Sequence, residues 1–346
     1  MAIIRDYGNG FKVTDLTEEL VSIPNEYGLI NQLGIFDVEP VSQHTVTFEA
    51  SDRVIGLIGD KVRGERNNVS KDGTRVMRSY AIPHFPLDDY ITPQDVQGQR
   101  AYGEEGAERL DAVRARKLMT IRKSHAATLE TARCKALTTG DIYAPNGTVV
   151  GNFYTDFGVT RKQVAFDLSN AAVNPLTKQR EIVHHIRDNI MSGEMPTEIV
   201  AICSSGFFDK YVDNAQVKEA YKFYTSTQEP LRNGTWDQFR HGSLTLIRYD
   251  GSYKDANGNS VALIPADEAY FLPLGTADSF KTYFSPANKF DLANTLGEQA
   301  YIFEYADGKG SKIEIESESN LINILRRPAI VVRAIAGATP TTPVTP

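Results

Sequence analysis

The sequence predicts an α+β protein whose outer segments do not stand alone. Three observations carry this. A stripe of apolar residues at helical spacing runs from Glu104 to Leu137. Short apolar strands alternate with helical patterns from Pro175 to Leu274. A long charged excursion over residues 51–86 has no evident apolar face to bury. Helices and hairpins in separate stretches mark an α+β layout, while the alternating block by itself reads as either α+β or α/β.

Taken in order, Thr14 to Ile23 predicts a short helix, broken by Pro24 and Gly28. Val38 to Ala50 reads as extended, because Val41, His44, Val46 and Phe48 recur near period two. The excursion follows. Its polar tract runs from Asp60 to Gly73, with Asp72-Gly73 as a turn pair, and Thr74 to Ile82 is extended again. An isolated hairpin is marginal in water, so this one is expected to be held by a neighbouring molecule.

Thr92, Pro93 and Asp95 form a helix start, with a cap, a residue pre-set for the first turn and an acid at the positive end. From Glu104 the helical pattern is clean. Leu110, Val113, Leu118, Ile121, Leu129, Ala132 and Ala136 share a stripe, with Arg114, Arg116, Lys117, Arg122 and Lys123 on other faces. About 34 residues give a rod about 50 Å long. The narrow stripe predicts a spine along a flat domain, not a buried core helix. Gly140 is placed to stop it.

Pro145-Asn146-Gly147 predicts a hairpin between Ile142–Ala144 and Thr148–Val150, and Phe153 to Phe157 continue extended. Pro175 to Ser192 is helical, with Ile182, Val183, Ile186 and Ile190 on one face. Strands are expected at Ile199–Cys203, Leu244–Tyr249 and Ala269–Leu274, and helices at Phe207–Asp213 and Val217–Tyr224. Two further strands, Ala300–Tyr305 and Ser311–Ser317, flank an Asp307-Gly308 turn, and Ala329–Ala334 closes the fold. Residues 337–346 form a Thr/Pro tail expected to be disordered.

Composition narrows the function. The chain has 346 residues, 37 basic and 44 acidic, for a formal charge of −7. A dedicated nucleic-acid binder carries a basic excess instead. There is no apolar run long enough for a membrane helix, and no secretory-type start. Cys134 and Cys203 are the two cysteines, too few for a disulfide scaffold.

Chemistry is searched for without convergence. His184 and His185 are adjacent and on a helix diverge by about 100°, so they do not pinch one ion. His44, His84, His125 and His241 lack partners at ligand spacing. Cys203-Ser204-Ser205-Gly206 follows a strand but lacks the nucleophile-elbow pattern, and Ser204 reads as a helix cap. Asp307-Gly308-Lys309-Gly310-Ser311 has phosphate-loop letters without the spacing and reads as a turn. Glu314, Glu316 and Glu318 share one strand face, read as solvated or else as an electrostatic partner for the basic hairpin of another copy. No catalytic residue, cofactor or metal is expected.

The ordered set of segments resembles the major capsid proteins of tailed bacteriophages with the Hong Kong 97-type fold, and within them the lambda-like capsid protein E family. Tyr80-Ala81-Ile82-Pro83 before Leu87 and Ile91 resembles the exit of the extended loop toward the spine helix. Arg114 to Gly140 resembles that helix and its stop. Gly206-Phe207-Phe208-Asp209-Lys210 and Val217-Lys218-Glu219-Ala220 resemble the axial-domain helices, and Tyr270 to Gly275 a strand of that domain. Glu318-Ser319-Asn320 with Arg326 to Val332 resembles the closing strand.

The resemblance implies an N-terminal arm (1–50), an extended loop (51–86), a peripheral domain (87–170 and 321–336, spine helix about 104–138) and an axial domain (171–320). It implies self-assembly into pentamers and hexamers around double-stranded DNA, held without sequence-specific binding, in a virion head built in the host bacterial cytoplasm. Decoration, portal and scaffold proteins are the implied partners, with no membrane. Within the loop, Lys61, Arg63, Glu65, Arg66, Lys71, Arg75 and Arg78 are the candidate inter-subunit contacts. Some members cross-link the loop through a lysine–asparagine bond, but no acceptor or catalytic glutamate is identifiable, so none is expected. The alternatives are an encapsulin-like compartment shell, or a cytosolic enzyme with its site in the 175–300 lobe.

Overall fold

The computed structural model describes residues 3–6, 12–15, 28–51, 75–97, 110–144, 149–190, 194–224, 238–254, 259–276, 278–307 and 310–338. The chain opens with strands β1 (Ile3–Asp6) and β2 (Lys12–Asp15), helix α1 (Leu29–Gln32) and strand β3 (Asp37–Pro40). Hairpin strands β4 (Thr45–Ser51) and β5 (Arg75–Ala81) precede β6 (His84–Ile91), α2 (Pro93–Val96) and the long helix α3 (Leu110–Thr138). Then come β7 (Asp141–Tyr143), β8 (Val149–Asn152), α4 (Phe153–Phe157), β9 (Gln163–Ala165) and α5 (Pro175–Asn189). The central block holds β10 (Glu198–Cys203), α6 (Ser205–Asp213), α7 (Ala215–Tyr224), β11 (Gln238–His241) and β12 (Leu244–Arg248). It ends with β13 (Ser252–Lys254), β14 (Ser260–Ala262) and β15 (Glu268–Leu274). Strands β16 (Phe280–Phe284), β17 (Tyr301–Ala306), β18 (Ile313–Leu325) and β19 (Val332–Ile335) close the fold.

Two sheets organise these elements. One runs β11-β12-β10-β15-β19-β9. Its central strands β10 and β15 are apolar on both sides because both sides are covered. Ile199, Ala201 and Cys203 face a core with Phe207 and Tyr211 of α6 and Ile182 and Ile186 of α5. Val200 and Ile202 belong to a second core with Leu137 of α3 and Ile322 and Ile324 of β18. The other sheet runs β1-β2-β17-β18-β16-β3, with β6 also on β18. β18 is its hub, 13 residues long and paired with β6, β16 and β17.

Several expectations need correction. Thr14 and Asp15 lie in β2, paired with Glu304 and Phe303, so the expected helix does not begin there; residues 16–23 lie outside the described set. A strand edge on β17 outweighs weak local helix propensity. Phe153–Phe157 is helical, because the Asn152 side chain accepts from the Tyr154 and Thr155 N–H groups and Gly158 closes the turn at φ 64°. The first residues of the expected closing strand, Ala329 and Ile330, form a 3-10 turn with Pro328 instead. β18 runs well past Ser317, since its second half is buried on both faces and shows no apolar–polar alternation to read.

Helix α3 is described from Leu110; residues 104–109 lie outside the described set, as do the Asn146-Gly147 turn and the tail from 339. Its first half fits a spine, with Arg116, Met119, Thr120 and Lys123 exposed. Its second half does not, since Leu129 through Cys134 and Ala136 through Thr138 are buried all round. The latter half is a core helix, threaded between the two sheets.

Candidate assembly surfaces

The excursion is anchored at its root. β4 and β5 pair from Thr45↔Ala81 to Ser51↔Arg75. Val46 and Tyr80 are buried. Phe48 stacks on Tyr80 at 5.5 Å and on Phe157 at 5.9 Å, and Tyr80 meets Phe153 edge-on. The Tyr80 hydroxyl donates to Asp156 Oδ2 at 2.6 Å. Burial, and then that carboxylate, push its phenol above its ordinary range. At its root the hairpin therefore does have an apolar face. Met77 lies on the opposite face of the strand and is 72% exposed.

The candidate contact residues divide accordingly. Lys61, Arg63, Glu65, Arg66 and Lys71 lie outside the described residues. Arg75 sits opposite Ser51 in the hairpin register. Arg78 is half-buried, with its guanidinium 5.4 Å from the Phe157 ring centre of its own chain.

Two buried polar joints hold the body behind the hairpin. Glu130, fully buried on α3, accepts from Ile30 N at 2.8 Å, Asn31 N at 3.0 Å and the Tyr249 hydroxyl at 2.8 Å. It ties α1 and the segment after β12 to the long helix. Gly28 must lack a side chain here: its φ is 99°, and a Cβ would lie 2.2 Å from the Glu130 carboxyl carbon. Burial raises the Glu130 pKa against the pull of these donors. One turn on, Arg133 donates to Thr282 Oγ1 at 3.0 Å and Asn31 Oδ1 at 2.6 Å.

The second joint closes the end of α3. Arg161 donates to the carbonyls of Leu137 and Thr138, a cation at the negative helix end. Its guanidinium lies 4.6 Å from the Tyr154 ring and 5.2 Å from the Tyr270 ring. Tyr270 donates to Glu268 Oε2 at 2.6 Å, and Arg333 Nε donates to the same oxygen at 2.9 Å.

The acidic face of β18 is satisfied within the chain. Glu316 pairs with Lys289 at 2.7 Å, Glu314 pairs with Lys312, and Glu318 accepts from Asn288 N at 2.7 Å. Ser204 caps α6, accepting from Phe207 N at 3.4 Å, with its own hydroxyl on Glu268 O at 3.1 Å. Asp307 O accepts from Gly310 N at 2.8 Å, as a turn requires. Among the described residues no three His, Cys, Asp or Glu side chains gather as metal ligands, and no helix is long and apolar enough to cross a membrane. Both cysteine thiols are buried and pushed up by that burial.

The residues that build these joints were not singled out by sequence. Glu130, Arg133 and Arg161 look like ordinary helix or loop charges, and nothing local signals their burial. A stacked Phe48–Tyr80–Phe157 set joins residues over 100 positions apart.

The anchored root and the clamped helix are joined by no converging set of polar side chains among the described residues, and comparison with known proteins supplies the function. Residues 12–336 match the family model described as phage major capsid protein E. The chain belongs to that family. It is 44% identical over 342 residues to the major capsid protein of Pseudomonas phage KPP10, covering 95% of this chain and 97% of that one. It is 30% identical over 360 residues to that of Salmonella phage Felix O1, again covering 95% and 97%. The capsid structure of cyanophage P-SCSP1u superposes with a TM-score of 0.56 at 10% identity, over 92% of this chain and 90% of that one, which fixes the fold as Hong Kong 97-type. The protein is a phage major capsid protein and its place is the virion shell. Its relatives are structural proteins, and neither the encapsulin-like nor the enzyme alternative is favoured.

Proposed function

We propose that each copy lays its excursion, residues 51–86, on an adjoining copy, and that this contact builds pentamers and hexamers into an icosahedral head around double-stranded DNA. The observation that carries the reading is the exposed outer face of the hairpin root. Phe48 and Tyr80 pack on the chain's own α4 with one face of the hairpin, whereas Met77 on the other face is 72% exposed. In the loop, Val54 to Gly59 is apolar but broken by glycines, the tract from Asp60 to Gly73 is polar, and Lys61, Arg63, Glu65, Arg66, Lys71, Arg75 and Arg78 are the candidate contacts. A segment with little of its own to bury gains stability by lying along a neighbour. Net charge fits the container role, since a shell of charge −7 per copy does not hold DNA by counterion release.

On this reading the arm spans residues 1–50, the axial domain 171–320, and the peripheral domain 87–170 with 321–336. Portal, scaffold and decoration proteins complete the head. No covalent link joins the copies: boiled heads run as single chains in detergent gels, and a ladder of oligomers contradicts this. The main test replaces residues 58–70 with a short glycine–serine turn. The expected result is a folded subunit with an unchanged melting profile that forms no shells by electron microscopy. Shells of normal yield from that variant overturn the reading.

A further inference from the structure

We propose that the loop between β16 and β17 is a contact between copies of this chain, with Phe290 of one copy set against Phe290 of another across a symmetry axis. Phe290 is 100% exposed, and Leu296 in the same loop is 63% exposed. Single apolar residues scattered over a surface are ordinary. What sets this pair apart is how firmly the loop that carries it is fastened.

At the near end, Lys289 Nζ donates to Glu316 Oε2 and to the Tyr305 hydroxyl, both at 2.7 Å, and lies over the Phe303 and Tyr305 rings. Asn288 N donates to Glu318 Oε1 at 2.7 Å. At the far end, Gly297 N donates to Val41 O at 3.1 Å and Glu298 N to the Tyr301 hydroxyl at 2.8 Å. Gly297 is needed there, since a Cβ would lie 2.2 Å from Phe284 O. Between these ends, Phe290–Leu292 form a 3-10 turn. At three residues per turn, positions two apart point about 120° from each other. Leu292 turns in, against the cluster of Ala287, Tyr301 and Phe303, so Phe290 turns out. The ring is held in one place, with little freedom left to lose on contact.

Charge points to a second copy as the partner. Copies of charge −7 repel, and they approach at least cost where their surfaces are uncharged. Residues 290–297 contain one charged side chain, Asp291. The sheet beside the loop is acidic, with Asp88 opposite Glu316 in the β6–β18 register and Glu314 and Glu318 on the same face. The loop is thus the part of this face that a like-charged copy can meet. Identical tips related by an axis need no separate receptor, because each apolar ring covers the other. The inference rests on the self-assembly in the shell reading, and not on where the excursion lies.

The test uses purified subunits of wild type and Phe290→Ala. Because the ring is fully exposed, the variant is expected to melt as the wild type does. Its shell yield is expected to fall about tenfold, the effect of truncating an interface anchor. The shells formed by Phe290→Cys are then oxidised. Cys134 and Cys203 are buried, so a link arises at position 290, and disulfide-bonded dimers are expected on a non-reducing gel from this variant and not from wild type. Full shell yield from Phe290→Ala overturns the proposal, and so does a lowered subunit melt, which would mean that the ring serves its own chain. Lost yield without dimers from Phe290→Cys contradicts the pairing, because the ring then meets another part of the neighbour. If purified Phe290→Ala assembles normally and only heads made in infected cells are defective, the loop meets a different protein and the proposal fails. Wild-type subunits that form no shells defeat the shell reading itself, a result distinct from all of these.

Discussion

The six-stranded sheet with its helices and the β4–β5 hairpin are opposite solutions to the same problem of burying apolar surface. In the first, Phe166, Phe207, Tyr211 and Phe271 are fully buried and contact one another ring to ring. Its central strands β10 and β15 are covered on both faces within the chain. The described part of the hairpin buries Val46 and Tyr80 at its root and leaves Met77 exposed. On the proposed reading, one region supplies the body of a tile and the other supplies the reach. A shell protein needs both, because a tile that satisfied all its surfaces would have no reason to assemble.

That contrast can be broken by mutation. Phe271→Ala removes a fully buried ring stacked on Phe166 at 5.9 Å and is expected to cost about 3–5 kcal/mol, lowering the melting temperature of subunit and shell alike. If shells keep their stability while subunits lose theirs, the self-sufficiency of this lobe is wrong.

The pH response probes α3, which lies between the two regions. His125 has its pKa pushed down to about 4 by burial and by Arg122. Its folded value is below the ordinary 6.5, so the unfolded chain binds the proton first. The stabilising contribution is complete above about pH 6.5 and is lost as pH falls toward 4, by roughly 3 kcal/mol at most. Glu130 works in the opposite sense, since its raised carboxyl favours the folded state on acidification. Urea titrations of wild type and His125→Gln at pH 7.5 and 5 separate the two. A loss of stability on acidification that is just as steep in the variant removes His125 from the account.

The smallest effect expected is on the hairpin root. Tyr80→Phe deletes the 2.6 Å bond to Asp156 and keeps the ring stack. We expect about 1 kcal/mol at the root, an almost unchanged subunit melt, and slower shell assembly by light scattering. Assembly at the wild-type rate would place the root's rigidity outside the assembly step.

Local signals were legible in the sequence. Pro93 and Asp95 start α2, Gly140 stops α3 at φ 79°, and the apolar run Ile199–Cys203 is a strand. What escaped was set by distant partners. β6 contains Pro86, Asp88 and Asp89, poor strand formers, and exists because β18 pairs with it, with Ser317 bonded to the Leu87 carbonyl 230 positions away. The second half of α3 keeps the same spacing as its first but is enclosed on every side, which one stripe cannot reveal. Buried Glu130, Arg133 and Arg122 carry the same letters as surface charges. Among the assembly candidates, the charged residues from Lys61 to Lys71 lie outside the described set, and the aromatic root was missed because Phe157 lies in a segment that reads as extended.

The most direct test is amide hydrogen exchange on wild-type protein, as dispersed subunits and as assembled shells. The account predicts that residues 52–74 gain strong protection on assembly, while Ile199–Cys203 and Glu268–Leu274 are equally protected in both forms. Equal protection of residues 52–74 in the two forms would contradict it.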